Sequence, residues 1–125
     1  VKKTVKKERT NSREGDLKYS KWHRKLPYNC YMMNLDCIEW RADRGIVAFI
    51  ETAFYENKTL LELLEDKKWE IKVLDELQQK TRIPAYLVFH TDTLSLFWVY
   101  VIAEGQPYLF KTLPRYDYEQ FIKKL

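Results

Sequence analysis

Three residue types are scarce in this chain. Its 125 residues include three glycines, two cysteines and two histidines. Three glycines are too few for a glycine-rich phosphate loop. Cys30 and Cys37 have no companion Cys or His at zinc spacing, and a small secreted domain stapled by disulfides carries more cysteine than this. Reduced thiols in an intracellular, cytoplasmic protein are therefore expected, with a regulatory disulfide as the alternative. His23 and His90 anchor no Ser or Cys triad. No apolar run approaches the ~18 residues that span a bilayer, and the basic N-terminus has no apolar segment behind it. A soluble, unexported protein with no membrane partner is the expectation. The chain starts at Val rather than Met, so its true start is not visible in it.

What is present suffices for one hydrophobic core: 46% of residues are hydrophobic and 15% aromatic. The net charge of +4 hides an asymmetry. Residues 1–25 hold ten Lys or Arg against three acids, a net +7, which leaves −3 for the remaining hundred. A polar, basic segment with almost no apolar residue before Leu17 does not fold alone; such arms follow the backbone of a polyanion or act as solubilising tails. The expected organisation is a basic flexible arm over residues 1–18 and one α/β domain over residues 19–125.

The element pattern is mixed. "LKYSKWHRKLP" reads as a short helix or loop ended by Pro27. Tyr31 to Arg41 and Ile46 to Phe54 read as strands joined by "ADRG", where Gly45 supplies a positive φ. Thr59 and Glu62 form a capping-box signature ahead of apolar residues at helical spacing as far as Lys80, predicting one long helix or two with a bend near Asp66. "AYLVFH", "LSLFWVYVIA" and "YLFKTL" read as strands, and "YDYEQFIKKL" as a closing helix. The order β-β-α-β-β-β-α predicts an α/β (α+β) fold with a central mixed sheet flanked by helices.

The hairpin carries two acids that such strands would bury. With the turn centred on Asp43 and Arg44, Arg41 faces Ile46, Trp40 faces Val47, Ile38 faces Phe49 and Asp36 faces Glu51. Opposed residues share one side of the sheet, so two carboxylates become neighbours among apolar pairs and repel unless a cation compensates. A hard divalent ion such as Mg²⁺ suits that inventory. A one-residue slip of register would instead send one acid to the solvent edge, paired with Lys or Arg. Glu39 and Arg41 fall on the opposite face, which makes Glu39 a structural ion-pair partner. Ala53 and Asn34 fall on the acid side, where Asn34 lies near the site or ends the strand in a turn.

An Asp on one strand, a tight hairpin, and a following apolar strand that ends in Glu-x-x before a helix and another apolar strand resembles the core of the PD-(D/E)XK nuclease superfamily. That superfamily includes Holliday-junction resolvases and many restriction endonucleases. The matching residues are Asp36 in "NLDCIEW" and Glu51 in "VAFIETA". The resemblance covers roughly residues 19–112 and its motifs are short. It implies a restriction-endonuclease-like fold and Mg²⁺- or Mn²⁺-dependent hydrolysis of DNA phosphodiesters. The metal would be held by Asp36, Glu51 and the backbone carbonyl of Thr52. It also implies phosphate contacts from Lys21, His23, Arg24, Lys25 and Lys58, and a homodimer by analogy.

One position departs from the pattern. Ala53 stands where the superfamily places the Lys that positions the attacking water. Three explanations compete: an engineered inactivating change; a migrated Lys, with Lys58, Lys68 or Lys72 reaching in from the following helix; or a natural relic that binds without cutting. The alternative function is a non-catalytic DNA-binding or assembly module on the same fold, and a third is a protein-interaction domain indifferent to DNA. His23 reads as a phosphate contact, a proton carrier or a surface or capping residue, and His90 as structural. Trp22, Tyr28 and Tyr31 either stack on bases or pack against the core.

Overall fold

A computed structural model describes residues 14–27 and 29–125, with side chains from Lys18 onward. It is an α+β fold with a five-stranded mixed sheet and four helices among the described residues. By compactness the chain divides between Asn34 and Leu35.

The first part holds α1 (Glu14–His23). Its last turn tightens as Lys25 N–H donates to the Trp22 carbonyl and Leu26 N–H to that of His23, before Pro27 stops the helix. Of the expected arm over residues 1–18, positions 1–13 lie outside the described residues, and 14–18 belong to this helix.

The second part holds β1 (Cys37–Arg41), β2 (Gly45–Phe54), α2 (Leu60–Asp66), α3 (Lys68–Thr81), β3 (Ala85–His90), β4 (Leu96–Ala103), β5 (Gln106–Pro114) and α4 (Arg115–Lys123). The strands lie in sequence order across the sheet. Only β2 and β3 run parallel, because α2 and α3 form the crossover a parallel pair requires. The other neighbours are antiparallel.

Local chemistry sets the joints. In the β4–β5 turn, Glu104 and Gly105 both adopt positive φ (53° and 75°), the geometry that matches strand twist in a two-residue hairpin. Thr59 caps α2 with a full capping box: its hydroxyl accepts from Glu62 N–H at 3.1 Å and its own N–H donates to Glu62 Oε1 at 2.8 Å. The expected bend near Asp66 is a break at Lys67, whose φ of −99° and ψ of 13° end α2 and begin α3. Arg82 then closes α3 in the left-handed region, two residues before Pro84.

The sheet buries both faces. Phe49, Leu87, Phe89, Tyr100 and Ile102 face Leu63, Ile71 and Leu74 of the two crossover helices. Ala48, Ile50, Val88, Phe97 and Val99 form the opposite face against Tyr118, Phe121 and Ile122 of α4. The Tyr118 ring stacks flat on Phe97 at 4.0 Å, and burial pushes its phenol well above the ordinary range. Arg41 and Arg44 of the first hairpin donate to the Ile122 and Leu125 carbonyls, at and just past the end of α4.

The hairpin register differs from the expected one near its turn. Arg41 pairs with Gly45 and Trp40 with Ile46, not with Ile46 and Val47. The cause is a shorter turn: Arg44 N–H closes on the Arg41 carbonyl at 3.2 Å and Gly45 follows at φ 81°. A β-bulge at Glu39/Trp40 absorbs the offset. Beyond it the expected register returns, with Glu39 against Ala48, Ile38 against Phe49 and Cys37 against Ile50.

Candidate active site

β1 begins at Cys37, so Asp36 is no ladder partner of Glu51. Its carboxylate extends the pairing instead. Asp36 Oδ2 accepts from Thr52 N–H at 3.0 Å and from the Thr52 hydroxyl at 3.2 Å. That bond also orients Thr52. Phe49 of β2 and Tyr55 just after it donate their N–H groups toward β3, to the Pro84 and His90 carbonyls. Thr52, an odd number of residues from each, points its N–H and carbonyl to the other side, past the end of β1. The carbonyl expected as a ligand therefore shares a side of β2 with the Asp36 carboxylate.

Glu51 lies one residue earlier, on the face packed by the crossover helices, and is 2% exposed. Its Oε2 accepts from Lys67 Nζ at 2.7 Å; the lysine side chain is 15% exposed. Its Oε1 is buried with no hydrogen-bond partner. Burial raises the Glu51 pKa most. The bond and charge of Lys67 pull it down, while the charges of Asp36 and Glu70 push it further up. Asp36, Lys67 and Glu70 thus all act on Glu51, near the start of β1 and the break between α2 and α3. Cys37 feels the same cluster: burial, then Asp36, Glu39 and Glu51, raise its thiol pKa.

The expected lysines stand elsewhere. Lys58 pairs with Asp66 at 2.5 Å, in front of α2. Lys68 pairs with Glu65 at 3.0 Å, and Lys68 and Lys72 both flank the Trp69 ring. None of the three is bonded to Glu51; Lys67 is. A helical step of ~100° per residue separates positions 67 and 68, so the lysine one residue earlier faces the sheet while the next faces solvent. The sequence holds a sign of this. Lys67 lies four residues after Leu63 and four before Ile71, inside the apolar stripe whose other members are buried. Ala53 lies on the Glu51 face and packs against the core there.

Other candidates separate from this cluster. Glu39 bonds Arg41 at 2.9 Å, the structural pair expected of it. His90 donates from Nδ1 to the Thr91 carbonyl at 2.9 Å, with its ring near Phe54 and Phe97. On α1 and the turn after it, Lys21, Arg24 and Lys25 are exposed, whereas His23 is buried, its ring 6.1 Å from Tyr19 and 6.3 Å from Trp22. Tyr28 lies outside the described residues. A groove of about 880 Å³ runs along α3 beside the β4–β5 turn, but it lacks both site acids, and its Glu65, Asp75 and Glu76 oppose Lys68 and Lys72.

Among the described residues, no three His, Cys, Asp or Glu side chains gather as a metal-holding group. A cation here would be shared by two carboxylates and a backbone carbonyl. Compared with known proteins, the chain matches no family model, no curated protein and no solved structure.

Proposed function

We propose that this chain is a metal-dependent DNA endonuclease in which Lys67 takes the place left by Ala53. One observation carries the reading: a carboxylate buried to 2% exposure keeps one oxygen without a partner, beside a lysine and within the field of a second acid. A buried carboxylate oxygen without a partner costs about 1–3 kcal/mol, and more when charged, so its retention calls for a ligand. The donor set fits a hard divalent ion such as Mg²⁺ or Mn²⁺: Glu51 Oε1, the Asp36 carboxylate and the Thr52 carbonyl are all oxygen ligands. When bound, such an ion polarises a phosphodiester and lowers the pKa of a water.

This chain's own residues supply the rest. Lys67 holds Glu51 in place through Oε2 and brings an ammonium to the site, able to orient a water and to stabilise charge on a phosphate oxygen. Asp36 is fixed by two bonds to Thr52, so its carboxylate arrives preorganised. The exposed Lys21, Arg24 and Lys25 supply sequence-independent phosphate contacts.

A second reading, a DNA-binding or assembly module without catalysis, has one observation in its favour. Lys67 already pairs with Glu51, which offsets part of the cost of burying that acid without a metal. Titration with Mn²⁺ and cleavage of supercoiled plasmid in Mg²⁺ separate the two. A nuclease binds Mn²⁺ and cuts, and Glu51→Gln and Asp36→Asn each remove both properties. Binding of DNA with neither Mn²⁺ affinity nor cutting establishes the second reading in its place.

A further inference from the structure

Deepening the nuclease reading, and resting on it for the identity of the polymer, we infer that α1 carries a stacking platform for unpaired nucleotides. Substrates with single-stranded segments are then preferred to uniform duplex. Tyr19 and Trp22 are 54% and 52% exposed, so both rings are open to a ligand; Trp40 and Tyr116 are exposed as well, but Tyr19 and Trp22 are set apart by their pairing on one helix face. They lie three residues apart on one helix face, with ring centroids 5.4 Å apart and planes tilted by 44°. The two rings present adjacent π-faces, and the buried His23 ring backs both.

Charge identifies the occupant. Lys18, Lys21, Arg24 and Lys25 lie on α1 and the turn after it and are exposed; the acids of α1, Glu14 and Asp16, are confined to its start, and none occurs from Leu17 through Leu35. A polyanion that also offers flat apolar faces satisfies both halves of this surface. Single-stranded nucleic acid is such a ligand: its phosphates follow the cations and its bases stack on the rings. Duplex DNA hides its base faces and leaves Tyr19 and Trp22 unused. An anionic membrane suits the surface less well. The apolar residues of α1 are Leu17, Tyr19 and Trp22, short of the broad apolar face by which an interfacial helix inserts.

The test is fluorescence anisotropy of labelled dT15 and of a labelled 15-base-pair duplex, in EDTA so that Glu51 chemistry plays no part. The chain is compared with Trp22→Leu, which keeps apolar bulk and helix propensity but lacks a π-face, and with Trp22→Phe. Circular dichroism of each variant establishes that it folds. Tighter binding of dT15 than of duplex is expected. Trp22→Leu should weaken dT15 about tenfold, the equivalent of ~1.4 kcal/mol, and Trp22→Phe by less than threefold. Equal affinity of the chain and Trp22→Leu for dT15, or a preference for duplex, overturns the platform. So does Trp22-dependent binding to phosphatidylserine vesicles without dT15 binding, which would assign the surface to a membrane. If dT15 binding fails while plasmid cutting persists, only the platform falls. If dT15 binding holds while Glu51→Gln cuts as well as the unaltered chain, only the nuclease assignment falls.

Discussion

Lys67 Nζ lies 2.7 Å from Glu51 Oε2, closing a buried ion pair between the break of the crossover helices and the middle of the sheet. Neither partner tolerates loss of the other. Removing one member of such a pair leaves an uncompensated charge and costs about 3–5 kcal/mol, whereas replacing both by apolar groups is often neutral or stabilising. Urea denaturation should therefore show Lys67→Met destabilised by several kcal/mol. The double variant Lys67→Met/Glu51→Leu should recover most of that loss. Additive losses in the double variant would mean that the two side chains do not depend on each other.

The raised pKa of Glu51 fixes the sign of a pH effect. The folded chain holds this proton to higher pH than the unfolded chain does, so the group contributes stability below the unfolded carboxylate value. That contribution is lost as pH rises through the folded value. Glu51→Gln has no such proton. The stability of the unaltered chain minus that of Glu51→Gln, measured by urea denaturation from pH 4 to pH 8, should fall as pH rises. A difference that grows with pH would show that the Lys67 charge, rather than burial, dominates Glu51.

Gly45 isolates backbone strain from packing. It sits at φ 81°, and a Cβ placed there meets nothing within 4 Å. Gly45→Ala should thus cost about 1–2 kcal/mol through the left-handed conformation alone, and Gly45→Asn less, since Asn tolerates that region. Urea denaturation of both variants measures the two losses. Equal losses would point to a change in the hairpin itself.

These positions show which features the sequence made legible. A β-branched and apolar run after the Gly45 turn marked β2 over residues 46–54, Thr59 and Glu62 marked the start of α2, and the apolar run at residues 85–90 marked a strand buried on both faces. Each is a local signal with a short physical cause. The acid cluster was half legible. Asp36 and Glu51 stood out because strands seldom bury acids, but the ladder stops before them, and a side chain rather than backbone continues it to Thr52. Lys67 was hidden by its neighbours: Lys68 shares its charge, and only the helical phase set by Leu63 and Ile71 tells them apart. Glu70 acts on Glu51 across the gap between helix and sheet, a relation that exists only once α3 docks.

The position of Lys67 also decides how the proposed nuclease activity is tested by exchange. If its ammonium does the work assigned to the Lys missing at position 53, Lys67→Ala should lower plasmid cutting by about 10²–10³-fold, the range for loss of one charge-stabilising donor. The Mn²⁺ ligands would remain. Ala53 lies two residues past Glu51 on the same face of β2, so a lysine introduced there starts from the same strand as the acid it must serve. Ala53→Lys in the Lys67→Ala background should accordingly restore part of the cutting, while Ala53→Arg, with a larger planar head, should restore less. Stability must be read alongside, because Ala53 packs against the core beneath the crossover helices and a long side chain there displaces neighbours. Rescue by Ala53→Lys with Mn²⁺ affinity unchanged assigns the ammonium its role. Unimpaired cutting by Lys67→Ala would remove Lys67 from the chemistry and leave it as the structural partner of Glu51.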